Sequence, residues 1–446
     1  MTLTYGIKDK PGFGKTVLFA LQQLLAIMAA TIAVPAIVGN GMSATAALFG
    51  AGVGTLVYLL FTKFSSPVFL GSSFAFLGSM FAAFAGATSV QLGYLGLILG
   101  ALFAGLVYVV LAIIVKVSGV QWIHKLMPAV VIGPTVAIIG LSLAGNAVSD
   151  LMNGGVSASP YVCIICGLVT LAVTMICSVY GKKMLKMIPF VIGILAGYAV
   201  AACFTLIGSV TGNANLAVID FGKFAAIQWV PDFTFLTAFK GFGELTLGYI
   251  VAIFVAYVPV AFVVFAEHIA DHKNLSTIVG VDLLENPGLH RTLLGDGIGS
   301  FAGAIFGGCP NTKYGESIGC VAISGNASTV SILYTAILAI LISFIGPFAT
   351  FLSTIPGCVM GGVCIALYGF IAVSGLKMLQ GVDLNDNHNL FVVSVILIAG
   401  IGGLSVSFGA VTLTEVACAL ILGILTNLML KGKEEKAEKK EQAEKK

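Results

Sequence analysis

The sequence predicts an all-α membrane protein with about fourteen spanning helices, arranged as two inverted seven-helix repeats. Three observations lead there. Of 446 residues, 58% are hydrophobic and only 9% charged, with a mean hydropathy of +1.06, whereas a soluble domain carries about 25% charged residues. Apolar runs long enough to cross ~30 Å of hydrocarbon recur from residue 16 to residue 430. One long loop, 211–246, holds Pro231 and mixed charge and separates seven runs from the next seven. An odd number of spans per half leaves the halves oppositely oriented in the bilayer, the plan of many secondary transporters.

In chain order the spans are placed at 16–38, 44–62, 66–85, 92–115, 128–147, 160–180, 187–209, 247–274, 291–306, 309–325, 328–351, 357–375, 389–406 and 411–430. The first follows basic residues, but it is of spanning length and no small-residue cleavage pattern follows it, so it reads as a span and not a leader. The 55 glycines suit the close helix approach by which membrane helices pack. The third span carries Pro67, Gly71, Ser72 and Ser73. The third span of the second half carries Pro310 and Gly315 beside two charges, Lys313 and Glu316. Paired interruptions at matching positions of two repeats point to a transporter's binding site.

Loop charge sets the orientation, because Lys and Arg concentrate in cytoplasmic loops. Cytoplasmic termini place Lys8, Lys10, Lys15, Lys63, Lys116, Lys125, Lys182, Lys183, Lys186, Lys273, Arg291 and Lys377 inside, leaving mainly Lys223 and Lys240 outside. Trp122 and Trp229 fall at loop edges as interfacial anchors. The 431–446 segment is a solvated charge run expected to lack structure.

Other classes are excluded on composition. A net charge of +3 comes with no basic groove or aromatic ladder, which argues against nucleic acid. Nine cysteines, mostly inside apolar runs, show neither a secreted pairing pattern nor zinc spacing and read as core residues. His268 and His272 share helical spacing, but no further ligand cluster accompanies them, so no metal or other cofactor is expected. No nucleophile–base pair suggests an enzyme, and no catalytic residue is assigned.

The chemistry concentrates in two stretches. Glu267 and Asp271 are four apart and share a helix face, with His268 and His272 on the adjacent one. Glu316 comes from a different span, and an ionised carboxylate accepts hydrogen bonds. Two such acceptors, with backbone N–H groups near Phe74 and Gly315, suit a small planar ligand carrying both N–H donors and carbonyls, such as a nucleobase. Phe74 or Tyr314 is placed to cover a ring face, and Ser73 joins the substrate-binding set. Glu267, Asp271, His272, Lys313 and Glu316 are the proton-coupling candidates, since ionisable groups at this depth mark proton and ion paths. Lys313 has Glu316 as a simple structural partner in an alternative reading. Gln22 and Gln23 serve as helix-to-helix bonds as readily as ligand contacts. Asp296 and Arg291 read as structural.

These residues together resemble the nucleobase–ascorbate transporter family, or nucleobase:cation symporter-2 family. The resemblance covers nearly the whole chain. It is carried by Gln22-Gln23, by Thr31 to Pro35, by Leu70 to Phe76, by Ala266-Glu267-His268 and by Asn286 to Arg291. Asn311-Thr312-x-Tyr314-Gly315-Glu316 and Pro356 to Gly362 complete it. The Asn-Thr-x-Tyr-Gly-Glu element is similar to the uracil-type branch. The resemblance implies a core domain of 1–126 and 247–353, a gate domain of 127–210 and 354–430, and short strands where spans three and ten break. It also implies Glu267 and Glu316 as base ligands, hydrogen bonds from the Phe74 and Gly315 backbones, Tyr314 and Tyr368 lining the site, proton symport of uracil across the cytoplasmic membrane, and a homodimer through the gate. A purine permease of the same fold is the neighbouring alternative, and an anion transporter or channel of similar build a more distant one. Three positions depart from the family pattern. Gln23 stands where histidine is usual, Ala270-Asp271 where Gly-His is usual, and Lys313 where threonine is typical. Asp271 and Lys313 are therefore expected to form a compensating ion pair.

Overall fold

The computed structural model describes residues 3–119, 128–182, 184–225, 227–408 and 411–444. Trp122, Lys125 and Lys183 lie outside the described residues. The main elements in order are α1 (Phe13–Val38), α2 (Ala44–Phe61), β1 (Leu70–Ser72), α3 (Leu77–Ala85), α4 (Val90–Ser118), α5 (Ala129–Ser142), α6 (Ala144–Asn153), α7 (Pro160–Tyr180) and α8 (Pro189–Thr211). After the long loop come α9 (Leu247–Val279), α10 (Leu289–Gly307), β2 (Asn311–Lys313), α11 (Gly315–Ser324), α12 (Thr329–Ile342), α13 (Gly346–Thr354), α14 (Gly357–Lys377), α15 (Asn387–Ile401), β3 (Val406–Phe408), β4 (Val411–Leu413) and α16 (Glu415–Glu444). Among the described residues, eight helices are long and apolar enough to cross a membrane, or nine if α12 and α13 count as one bent span.

Small residues let these helices approach closely. A Cβ on Gly50 of α2 would lie 2.3 Å from the Gly303 carbonyl of α10, and one on Gly140 of α5 would lie 2.2 Å from the Tyr368 carbonyl of α14. Contact of that kind is what packs helices where lipid supplies no hydrophobic drive. Around the first contact, α10 packs on α2 and α4, while α12 packs on α1 and α2; around the second, α14 packs on α5, α6 and α7. Gly50→Ala is expected to cost about 1–3 kcal/mol by overpacking against backbone. A lowered thermal midpoint in detergent, set against Gly248→Ala, where nothing lies within 4 Å, checks it.

At the centre, β1 and β2 pair antiparallel with Gly71 opposite Thr312, and Ser73 N donates to Pro310 O at 2.9 Å. α3 and α11 therefore leave from opposite ends of the pair. Backbone at membrane depth must be satisfied by protein, and side chains supply what two strands cannot. Thr55 Oγ1 accepts from Leu70 N (3.0 Å), Ser317 Oγ from Phe69 N (2.9 Å) and Ser300 Oγ from Asn311 N (3.0 Å), while Tyr314 donates to the Ser72 carbonyl (2.6 Å). Gly71 is required here: a Cβ would sit 2.3 Å from the Tyr314 ring.

Several element edges differ from the sequence reading. Span 328–351 is two helices bent by 84°, because Pro347 has no N–H to continue α12 and its ring opposes the carbonyl four residues back. The helix from residue 387 ends at Ile401, and β3 pairs antiparallel with β4 beyond it, since Gly403 adopts φ +70°. The charged segment beyond Leu430 continues α16 to Glu444, in keeping with a Lys, Glu and Ala composition that favours helix. Glu244 ties the long loop to the start of α4, accepting from Thr88 Oγ1 (2.6 Å) and Ser89 Oγ (2.9 Å). These two bonds hold its carboxyl below the usual range.

Candidate functional site

The β1–β2 pair fixes what comes immediately after each strand. α3 and α11 begin beside one cavity of about 330 Å³, with Phe76 and Tyr314 at their N-caps and no side chain capping either. First-turn N–H groups have no intrahelical partner and carry the positive end of the helix dipole. Into the same cavity come Ser73 and Phe74 from the first half. Glu267 and Asp271 enter from α9, and Lys313, Tyr314, Gly315 and Glu316 from β2 and α11. Val136 and Ile139 of α5 also line the cavity, with Leu367, Phe370 and Ile371 of α14 and with Ser178 and Lys186. Gly315 has open space where a Cβ would stand, so ligand atoms can reach the backbone there.

Eight of the ten residues singled out for ligand binding or proton handling line one cavity; Tyr368 and His272 do not. The exceptions in placement are instructive. Tyr368 does not line the cavity: its ring packs edge-on against Phe74, centroids 5.8 Å apart, and so fixes the Phe74 ring from behind. Tyr314 reaches the wall with its hydroxyl committed to the Ser72 carbonyl, and Phe74 lines the cavity beside it. His272 turns away altogether. Its Nε2 meets the Tyr58 hydroxyl at 3.0 Å and its Nδ1 the His268 carbonyl at 3.0 Å.

Lys313 is 6% exposed and its ammonium donates to the His268 carbonyl (2.9 Å), with Asp271 Oδ2 at 3.9 Å. No ion pair joins it to Glu316 among the described residues, so Glu316 stays open to the cavity. The pairing follows from geometry: residues 313 and 316 sit on a strand and on the helix after it, whereas 313 crosses directly to α9. Gln23 acts between helices, donating to both the carbonyl and the hydroxyl of Ser317. Asp296, read as structural from the sequence, sits with its Oδ2 2.6 Å from His268 Nδ1. Among the described residues no cluster is suited to a metal.

A bundle of apolar helices enclosing a polar cavity at two interrupted spans defines a multi-pass membrane transport protein. Comparison with known proteins narrows the class. The Permease family pattern matches residues 14–408. The chain is 40% identical over 436 residues to a uracil permease of Bacillus caldolyticus, covering 97% of this chain and 96% of that one. It is 39% identical to the uracil permease of Bacillus subtilis (98% of each chain) and 36% identical to that of Escherichia coli K12 (96% and 94%). The chain belongs to the nucleobase:cation symporter-2 family of permeases. Among solved structures, the transmembrane domain of a cyanobacterial bicarbonate transporter superposes with a TM-score of 0.65 at 16% identity, over 95% of this chain and all of that one. A murine Slc26a9 anion transporter gives 0.65 at 12%, over 95% and 69%. These two likenesses concern the fold alone.

Proposed function

We propose that the protein imports uracil by proton symport across the cytoplasmic membrane, with both termini inside. The observation that carries this reading is the meeting of Glu267 and Glu316 on one cavity with two uncapped helix N-termini. Carboxylates accept the N–H groups of a base, backbone N–H groups donate to its carbonyls, and Phe74 covers its ring. Two acidic side chains repel an inorganic anion, so the anion-transporter fold neighbours do not extend to substrate. Relatives named uracil permease support the choice of base.

The architecture we assign is fourteen spans in two inverted repeats. The helices around α2 and α10 form the core, those around α5 and α14 the gate, and alternating access moves one against the other around the β1–β2 site. Glu267, Asp271, Lys313 and Glu316 handle the coupled proton at the cavity. The gate provides a homodimer contact. Purified protein in liposomes tests the reading: labelled uracil is expected to accumulate only with an inwardly directed proton gradient. Uptake of xanthine without uracil moves the substrate to purines. No uptake of any base removes the nucleobase assignment.

A further inference from the structure

Residues 3–9, ahead of α1, lie across the two turns that carry the broken spans. One turn is 325–329, between α11 and α12. Thr4 N and Tyr5 N donate to the Gly325 carbonyl (2.8 and 3.2 Å), Ala327 N to Tyr5 O (2.9 Å), Thr329 N to Ile7 O (3.1 Å) and the Ser328 hydroxyl to Asp9 O (2.6 Å). Tyr5 and Asn326 thereby pair as a parallel bridge. The other turn is 62–66, between α2 and β1. There Lys63 and Phe64 hold φ +52° and +54°, a region that residues with a Cβ occupy only where their surroundings fix them. Lys8 supplies that hold: its ammonium donates to Lys63 O (2.9 Å), Phe64 O (2.9 Å) and Ser65 Oγ (3.0 Å), using all three of its hydrogens. The Thr329 hydroxyl stands between the turns, 3.0 Å from Ile7 O and 3.2 Å from Phe64 O.

Both turns lead directly to the ligand cavity. After 62–66, Phe69 N donates to Ser317 Oγ of α11 (2.9 Å), and β1 ends one residue before Ser73 and Phe74, which line the cavity. Ahead of 325–329, α11 carries Glu316, Gly319 and Cys320 into the same cavity. Apolar contact runs the same way. Leu3 and Ile7 pack against a buried cluster that holds Val68 and Leu70 from the first half of the chain with Ile318 and Val321 from the second. Residues 3–9 thus grip both interrupted spans at once. The Lys8 bonds are exposed, and surface charges are individually weak contributors to stability. Their effect is therefore on how often the two spans stand in register, with the fold itself held by the buried helices.

We infer that residues 3–9 are a strap that holds the two broken spans in their ligand-binding arrangement, with Lys8 as a positioning residue of the cavity. The ligand used in the test rests on the uracil reading; the strap does not. Loosening the strap lowers the fraction of molecules whose site is assembled, and apparent affinity falls with that fraction. Lys8→Met is expected to raise the Kd for uracil about threefold to tenfold, by equilibrium dialysis well below the thermal midpoint. Lys8→Arg, whose guanidinium still donates to the turn, stays near wild type, as does Lys10→Met, which removes an exposed charge two residues on. Wild-type affinity in Lys8→Met overturns the inference, and so does an equal loss in Lys10→Met, which marks an effect of surface charge alone. Where Lys8→Met does not fold, Thr329→Val removes only the hydroxyl between the turns. It is expected to weaken binding while Thr329→Ser keeps it, and a valine variant at wild-type affinity refutes the strap. No binding of uracil by the wild type overturns the substrate reading instead, and the strap is then judged without ligand by hydrogen–deuterium exchange. Amides of 62–74 and 315–329 are expected to exchange faster in Lys8→Met than in wild type, with those of α5 and α14 unchanged. Equal exchange in the two stretches refutes the strap.

Discussion

Glu316→Gln is expected to weaken uracil binding by roughly 2–3 kcal/mol, about 30- to 150-fold, taking uptake below detection. The side chain sits in the first turn of α11 and faces the cavity. Glutamine keeps its shape there but replaces a carboxylate oxygen by an amide that donates. A base N–H then meets a neutral acceptor at best and a second donor at worst. Binding of labelled uracil to purified protein, by equilibrium dialysis, reads the effect directly. The position belongs to the first turn, where the helix dipole favours negative charge, so a small loss of thermal stability is expected beside the large loss of binding. Unchanged affinity in the glutamine variant removes Glu316 from the ligand set.

The second large effect concerns Lys313 and Asp271. Removing one partner of a buried pair strands the other charge, at a cost of about 3 kcal/mol or more, whereas removing both leaves none uncompensated. Lys313→Met and Asp271→Asn are each expected to lower the thermal midpoint and uptake more than the double variant does. The 3.9 Å separation and the partial exposure of Asp271 put the coupling at the lower end for such pairs, and the cycle measures it as the failure of additivity. Additive losses dissolve the pair and leave Lys313 as a bond to His268 alone. Lys313→Thr is expected to keep measurable base binding, because its ammonium is turned to α9.

Much of this was legible in the residues, and the reasons are physical. An apolar chain in lipid has few ways to satisfy its backbone, so Pro67, Gly71, Pro310 and Gly315 inside apolar runs announce a break, and Glu267 and Glu316 announce a site. Spacing alone could not show which charges meet. Lys313 is three residues from Glu316 yet pairs across the fold, and His272, one turn beyond His268, points at Tyr58 and away from the cavity. Asp296 read as structural because its partner lies 28 residues earlier on another helix. Helix edges near 343–347 and 401–413 were missed because a proline start and a glycine stop decide them locally, against a hydropathy that continues unbroken.

The β1–β2 pair also sets a clock on biogenesis. Gly71 finds its partner in Thr312, so the first interrupted span leaves the ribosome roughly 240 residues before the strand that satisfies it, a wait of about 12–50 s at ordinary translation rates. Throughout that interval the nascent chain holds open peptide groups that the bilayer cannot solvate, so the insertion machinery or water must shelter them until the second half arrives.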